Sequence, residues 1–470
     1  MRKLYLLLLA VLFIFISCPN EAADEKIPTG LKIPVDFMGM VHPPYVPTET
    51  DKNILDGMNV VWVLNDCSWG NVNPSLDTWT FGDDNSGYYQ FCKLATEAGR
   101  KVYAMMGYDV GWIHDPALNG GIDVPPNLRR VVKKEQAHLY VRYVQESIRR
   151  LHKYVGAWGI WNEPESNPRF WTGTYEEYYH MVWETIKGIR EVETELKEKG
   201  ELAANDRIKI ILGAYSPLAT PEFITGLLDN PITKQADGIA YHPYGGNSGG
   251  AANLYEAFKK TVTPYGFADK IWLNEIGYPT NGAYPAVTPD SRMPSEVMKT
   301  LTEMAIRGAV NAIWYHWSDK PPANKDPTNS EDWFGLVEAD RTFKTGATSF
   351  ALFGQKIPGS IYNKEFVKAS NVSNGVQYHY FEGSKNDEHY LIIWNDKPSP
   401  QNLTIKLPGT NRKVYDTDTS TWPAPPLSNI DIPTVKENLP ESDSYTITGT
   451  AKFFVWENSN KNQRPEISSK

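Results

Sequence analysis

Cysteine is scarce: Cys18, Cys67 and Cys92 are the only three in 470 residues. With no CxxC pair and no Cys/His cluster, a zinc ribbon or finger is excluded. Basic clusters are missing too. The formal charge is −9 and Lys and Arg are dispersed, so the chain lacks the counterion-displacing patch that a nucleic-acid partner needs. Neither GxGxxG nor GxxxxGK[ST] occurs, which removes the usual phosphate cradles of dinucleotide and nucleotide sites. No arginine lies between Lys3 and Arg100. The longest apolar run, Leu4–Ile16, is too short to cross a bilayer comfortably.

That run has another use. Arg2 and Lys3 precede it and FISC closes it, the pattern of a bacterial lipoprotein signal in which Cys18 is acylated and becomes the new N-terminus. Residues 1–18 are therefore expected to be removed or lipidated, and 19–34 to form a flexible acidic tether. The chain is expected to be exported and held to the outer membrane, at the cell surface or on the periplasmic face. An exported chain permits a Cys67–Cys92 bridge, and two buried thiols fit equally well.

What is abundant is aromatic side chain, with 15 Trp and 26 Tyr. Such rings fill cores, and they also stack on sugar faces. From Val35 short apolar runs alternate with amphipathic helical segments. The runs are Phe37–Val41, Val60–Leu64, Val102–Met106, Ala157–Trp161, Ile208–Leu212, Gly238–Tyr241, Ile271–Leu273 and Ala312–Tyr315. Between and after them lie Asp51–Met58, Tyr88–Ala98, Val131–Tyr154, Tyr175–Lys199, Pro221–Asp229, Asn253–Thr263, Pro294–Arg307 and Thr345–Phe353. Eight strand–helix repeats over 35–356 predict an α/β fold, a closed (β/α)8 barrel of the TIM type. Composition then changes. Alternating runs at Gln377–Phe381, His389–Trp394, Asn402–Leu407, Lys413–Asp416, Tyr445–Thr448 and Lys452–Trp456 predict an antiparallel β-sandwich over 357–458. Residues 459–470 read as a frayed polar tail.

Two barrel strands end alike. GAWGIWNEPE, Gly156–Glu165, is an apolar strand that turns polar at Asn162-Glu163, where Pro164 stops ladder pairing. KIWLNE, Lys270–Glu275, ends in Asn274-Glu275. Each dipeptide alone is commonplace. Together they place two glutamates on the C-terminal rim, where barrels of this kind keep their reactive groups. Paired carboxylates suit glycosidic cleavage, with one protonating the departing oxygen and the other attacking or stabilising the sugar carbon. A fold-only reading makes both glutamates helix caps or ion-pair partners.

The stretch WNEPESNPRFWTGTYEEYYHMVWETIKGIR resembles the segment after the acid/base in the clan of retaining β-glycosidases built on eight-stranded barrels. Within it the chain is most similar to glycoside hydrolase family 39, which includes β-xylosidases and exopolysaccharide glycosidases. The resemblance covers about the first three quarters of the chain. It implies Glu163 as acid/base, Glu275 as nucleophile and Asn162 on the hydroxyl beside the reacting carbon. It further implies that His242 and Tyr244 contact the nucleophile and its sugar, and that Trp314 and Trp317 are candidates for the sugar platform. His42, Tyr108 and Trp69 are candidate lining residues. A β-linked oligo- or polysaccharide is the implied substrate, handled by a monomer without cofactor or metal. One departure stands out: many clan members carry an arginine at strand two, and VVWVLNDCS has Asn65 and Asp66 there. Two other functions fit less well. One is a metal-dependent hydrolase using His42, His242 and His316, and the other is a glycan-capturing lipoprotein with a dead barrel.

Overall fold

A computed structural model of the protein describes residues 29–469, apart from 82–86, 116–129, 283–287, 385–386, 423–426, 428–429, 431–432 and 461. The signal segment 1–18 with Cys18, most of the tether, and parts of the loops after the second and third barrel strands lie outside the described residues.

The eight apolar runs close into one parallel barrel: β1 (Met38–Val41), β2 (Trp62–Asp66), β3 (Lys101–Met106), β4 (Val155–Ile160), β5 (Ile210–Tyr215), β6 (Gly238–Tyr241), β7 (Ile271–Ile276) and β8 (Ala312–Trp314). They read as continuous apolar runs because both faces are covered. The inner face carries Val41, Trp62, Leu64, Tyr103, Met105, Ala157, Ile211, Ala240, Trp272 and Ile313. Large rings there need bare backbone opposite them. A Cβ on Gly238 would stand 2.6 Å from Trp272, and one on Gly159 would stand 2.4 Å from the Tyr103 hydroxyl.

The outer face packs on α1 (Glu49–Gly57), α2 (Gly87–Glu97), α3 (Ala137–Leu151), α4 (Tyr175–Glu198), α5 (Pro221–Leu228), α6 (Ser248–Val262), α7 (Met293–Ile306) and α8 (Thr345–Lys356). Their starts are written locally. Thr48 with Asp51 and Thr174 with Glu177 form reciprocal capping boxes, each satisfying two otherwise orphaned backbone N–H groups. Thr220 caps α5 just before Pro221, where a missing N–H costs nothing.

The second unit is a sandwich of a seven-stranded and a four-stranded sheet, antiparallel except for one pairing. Its alternation sorts side chains between two cores. Tyr390, Ile392 and Trp394 join the barrel's outer core, while Leu391 and Ile393 face the smaller sheet. Two expectations are corrected here. Residues 19–34 are not tether throughout, since Leu31–Lys32 is an edge strand paired with Ile361–Tyr362. Residues 459–470 are not a frayed tail, since Glu466–Ser469 is a strand hydrogen-bonded on both sides, with Ile467 fully buried. A chain that is half polar still makes a strand when only one of its faces meets a core. Cys67 and Cys92 are buried free thiols. No helix among the described residues is long and apolar enough to cross a membrane.

Candidate active site

The C-terminal rim of the barrel gathers Glu163 after β4, His242 and Tyr244 after β6, and Glu275 on β7. His242 is completely buried and aims Nδ1 between the glutamates, 2.9 Å from Glu163 Oε1 and 3.5 Å from Glu275 Oε2. One oxygen of each glutamate and the imidazole nitrogen lie within 4.8 Å of one another. The Tyr244 hydroxyl donates to Glu275 Oε2 at 2.9 Å. The Glu163 backbone N–H donates to Ala214 O at 2.8 Å, and Ser166 Oγ stands 3.5 Å from its carboxylate.

Backbone strain concentrates on this rim. His42, Trp161 and Glu163 have φ of 53°, 65° and 41°, left-handed values that cost a side-chain-bearing residue about 1–3 kcal/mol each. The turn at 161–163 swings the Glu163 carboxylate toward the barrel mouth, and the bond to Ala214 holds it there.

Electrostatics follow from burial. The Glu275 carboxyl is raised to about 7, first by desolvation, with His242 pulling against it, Glu163 adding to the rise, Tyr244 opposing it and Asp66 adding a further push. Burial works to depress the His242 imidazole, but the charge of Glu275, then the hydrogen bond and charge of Glu163, leave it raised. Asn65 is turned away, donating to Pro43 O at 3.1 Å, and burial raises Asp66 despite the opposing influence of His42.

Of the predicted residues, Glu163, Glu275, His242 and Tyr244 form one cluster. Asn162 is buried beside it with Oδ1 unpartnered. Tyr108 stands near, its ring stacked on Phe170 at 5.5 Å and edge-on to Trp161 at 5.9 Å. His42 is on the same rim, exposed, 5.9 Å from the Tyr315 ring. Three tryptophans do not reach the site. Trp69 is buried, stacked on Tyr143 at 5.3 Å, with Nε1 donating to Asn73. Trp314 points outward, its ring 6.0 Å from Phe350 of α8. Trp317 is buried under Arg341.

An aromatic that sequence reasoning passed over, Tyr315, stands beside the cluster, edge-on to Phe334 at 5.1 Å, and Phe334 is itself edge-on to Tyr244 at 6.1 Å. Ile313 and Tyr315 share the inner face of β8 and its extension, whereas Ala312 and Trp314 share the outer one. The period of two was the available signal. The three-imidazole site does not form either: His42 and His316 stand 6.4 Å apart, while His242 is committed to the glutamates. Among the described residues, the cluster with metal-ligand spacing is Glu163, His242 and Glu275.

No known family's sequence profile matches the chain, and no curated protein matches it by sequence. Solved structures do share the fold. A family 39 glycoside hydrolase from Bacteroides cellulosilyticus WH2 superposes with a TM-score of 0.64 at 16% identity, over 90% of this chain and 81% of its own. A GH30 endoxylanase from Clostridium papyrosolvens C71 gives 0.59 at 11%, over 91% and 98%. A monomeric β-xylosidase from Caulobacter crescentus gives 0.58 at 10%, over 92% and 98%. At these identities the likeness shows a common architecture, barrel and β-rich domain together.

Proposed function

We propose that the protein is a retaining glycoside hydrolase that cleaves β-linked glycans by double displacement. The observation that carries this is the pair of rim glutamates bridged by His242, with one carboxylate oxygen of each within 4.8 Å. Retaining enzymes hold their two carboxyls about 5–5.5 Å apart, and inverting ones leave room for a water between them. The fold neighbours are glycosidases, β-xylosidases and an endoxylanase among them, which supports the same reaction class.

Two carboxylates this close resist being ionised together, so one proton stays with the pair. In the reactive form that proton lies on Glu163, which passes it to the departing sugar oxygen as an oxygen of the Glu275 carboxylate closes on the anomeric carbon. Attack discharges Glu275. Glu163, now facing an ester instead of an anion, can accept a proton from the incoming water, which releases the sugar with its configuration retained. The unpartnered Asn162 Oδ1 is free to accept from the hydroxyl next to the reacting carbon. The donor set Glu163, His242 and Glu275 could instead hold a divalent ion, a second reading in which EDTA abolishes turnover.

The deciding experiment is proton NMR of the first-formed product from p-nitrophenyl β-xyloside and β-glucoside. A β-anomer supports the mechanism and an α-anomer refutes it. Glycan binding with no hydrolysis of any β-linked substrate would favour the dead-barrel alternative. We also propose that Cys18 carries the lipid that holds the protein to the outer membrane. Cys18→Ala should then abolish incorporation of labelled palmitate.

A further inference from the structure

Strands β4 and β8 stand four places apart in a ring of eight, so the loops leaving their C-terminal ends start on opposite walls of the mouth. Those loops nevertheless meet. Arg169 Nη2, after β4, lies 3.0 Å from Glu331 Oε1, after β8. Both ends of the pair are braced. The guanidinium lies over the Phe170 ring at 4.7 Å, and that ring stacks on Tyr108 at 5.5 Å. The other Glu331 oxygen accepts from the Tyr315 hydroxyl at 2.8 Å. Tyr315 in turn packs edge-on against Phe334 at 5.1 Å and His42 at 5.9 Å. The assembly borders the reacting groups: Phe334 also packs edge-on against Tyr244 at 6.1 Å, whose hydroxyl donates to Glu275, and Tyr108 is edge-on to Trp161, two residues before Glu163.

We propose that the Arg169–Glu331 pair is a strap that makes the site single-ended, so that the enzyme trims sugar from a chain end instead of cutting within the chain. The proposal rests on the glycosidase reading above. A polymer cut internally must lie across the mouth with free passage on both sides of the glutamates. An ion pair joined at 3.0 Å leaves no gap for a pyranose chain between its members. A chain end can enter beside the strap, and its leaving portion can remain in solvent. The barrel by itself does not decide the matter, because β-xylosidase and endoxylanase share it.

The test compares wild type, Arg169→Ala, Glu331→Ala and Arg169→Lys on β-1,4-xylan and mixed-linkage β-glucan. Viscosity loss per reducing end and product length are read for each protein. Because the reading is a ratio within one variant, a change in overall rate does not disturb it. Wild type should release monosaccharide first and leave viscosity nearly intact. Either alanine variant should yield longer products and raise viscosity loss per reducing end about tenfold, within the range that one or two lost contacts confer in discrimination. Arg169→Lys should restore the wild-type ratio. Long products from wild type overturn the strap. So do active alanine variants with an unchanged product profile, and so does a folded Arg169→Ala that fails on aryl glycosides. If wild type hydrolyses nothing, the glycosidase reading falls and the strap falls with it.

Discussion

His242→Asn isolates the charge that the buried imidazole supplies. The amide keeps a neutral donor near the position of Nδ1, so the contact with Glu163 can persist while the positive charge is lost. In the native protein that charge sits 3.5 Å from Glu275 Oε2 and opposes burial, and with its pull included the carboxyl stands at about 7. An opposite charge at this range holds a carboxyl down by about 1–3 units, equivalent to roughly 1.4–4 kcal/mol. A nucleophile must be ionised. Raising its pKa therefore moves the acidic limb of the kcat/KM profile to higher pH, by about 1–3 units. From a starting point near 7, where half the carboxyls are ionised, the ionised fraction at neutrality falls about 5- to 500-fold and recovers in alkali. The assay is kcat/KM on an aryl β-glycoside from pH 5 to 10, with thermal unfolding as a control for folding. An acidic limb that stays in place while activity drops evenly at every pH would show that His242 does not act through charge on Glu275.

Glu275→Ala should lower kcat by about 10⁴-fold or more, the order lost when a covalent nucleophile is removed; stopped assays with an aryl glycoside measure it. Tyr244→Phe removes a hydrogen bond to a charged group, worth about 1.5–3 kcal/mol. It should lower kcat/KM roughly 10- to 100-fold and shift the acidic limb upward, read from the same pH series. Trp314→Ala should destabilise by about 3–5 kcal/mol, as expected for a deleted core ring, and leave KM unchanged, seen by denaturant titration beside Michaelis kinetics. Saturating EDTA should leave turnover intact.

The barrel was legible because each of its strands is covered on both faces and so reads as an unbroken apolar run. The meeting of Glu163 and Glu275 on one rim was legible because those runs stop abruptly at an Asn-Glu pair. The tryptophans misled, because Trp314 and Tyr315 are neighbours and a strand sends neighbours to opposite faces. Taking the larger ring chose the outer core over the mouth. Glu466–Ser469 escaped notice because a single buried side chain, Ile467, anchors it to the sandwich core. The meeting of Arg169 with Glu331 depends on the paths of two loops separated by 162 residues, and no local pattern encodes that.

The strand Leu31–Lys32 enters the large sheet before the barrel begins, and its partner Ile361–Tyr362 enters after the barrel is complete. The catalytic unit is therefore an excursion between two adjacent threads of one fabric. Tension applied ahead of Leu31 is carried into the sandwich along that seam and passes the barrel by. If the protein is leashed to a membrane as proposed, drag from a bulky substrate would load the weave of the sandwich while the spacing of the two glutamates stays undisturbed.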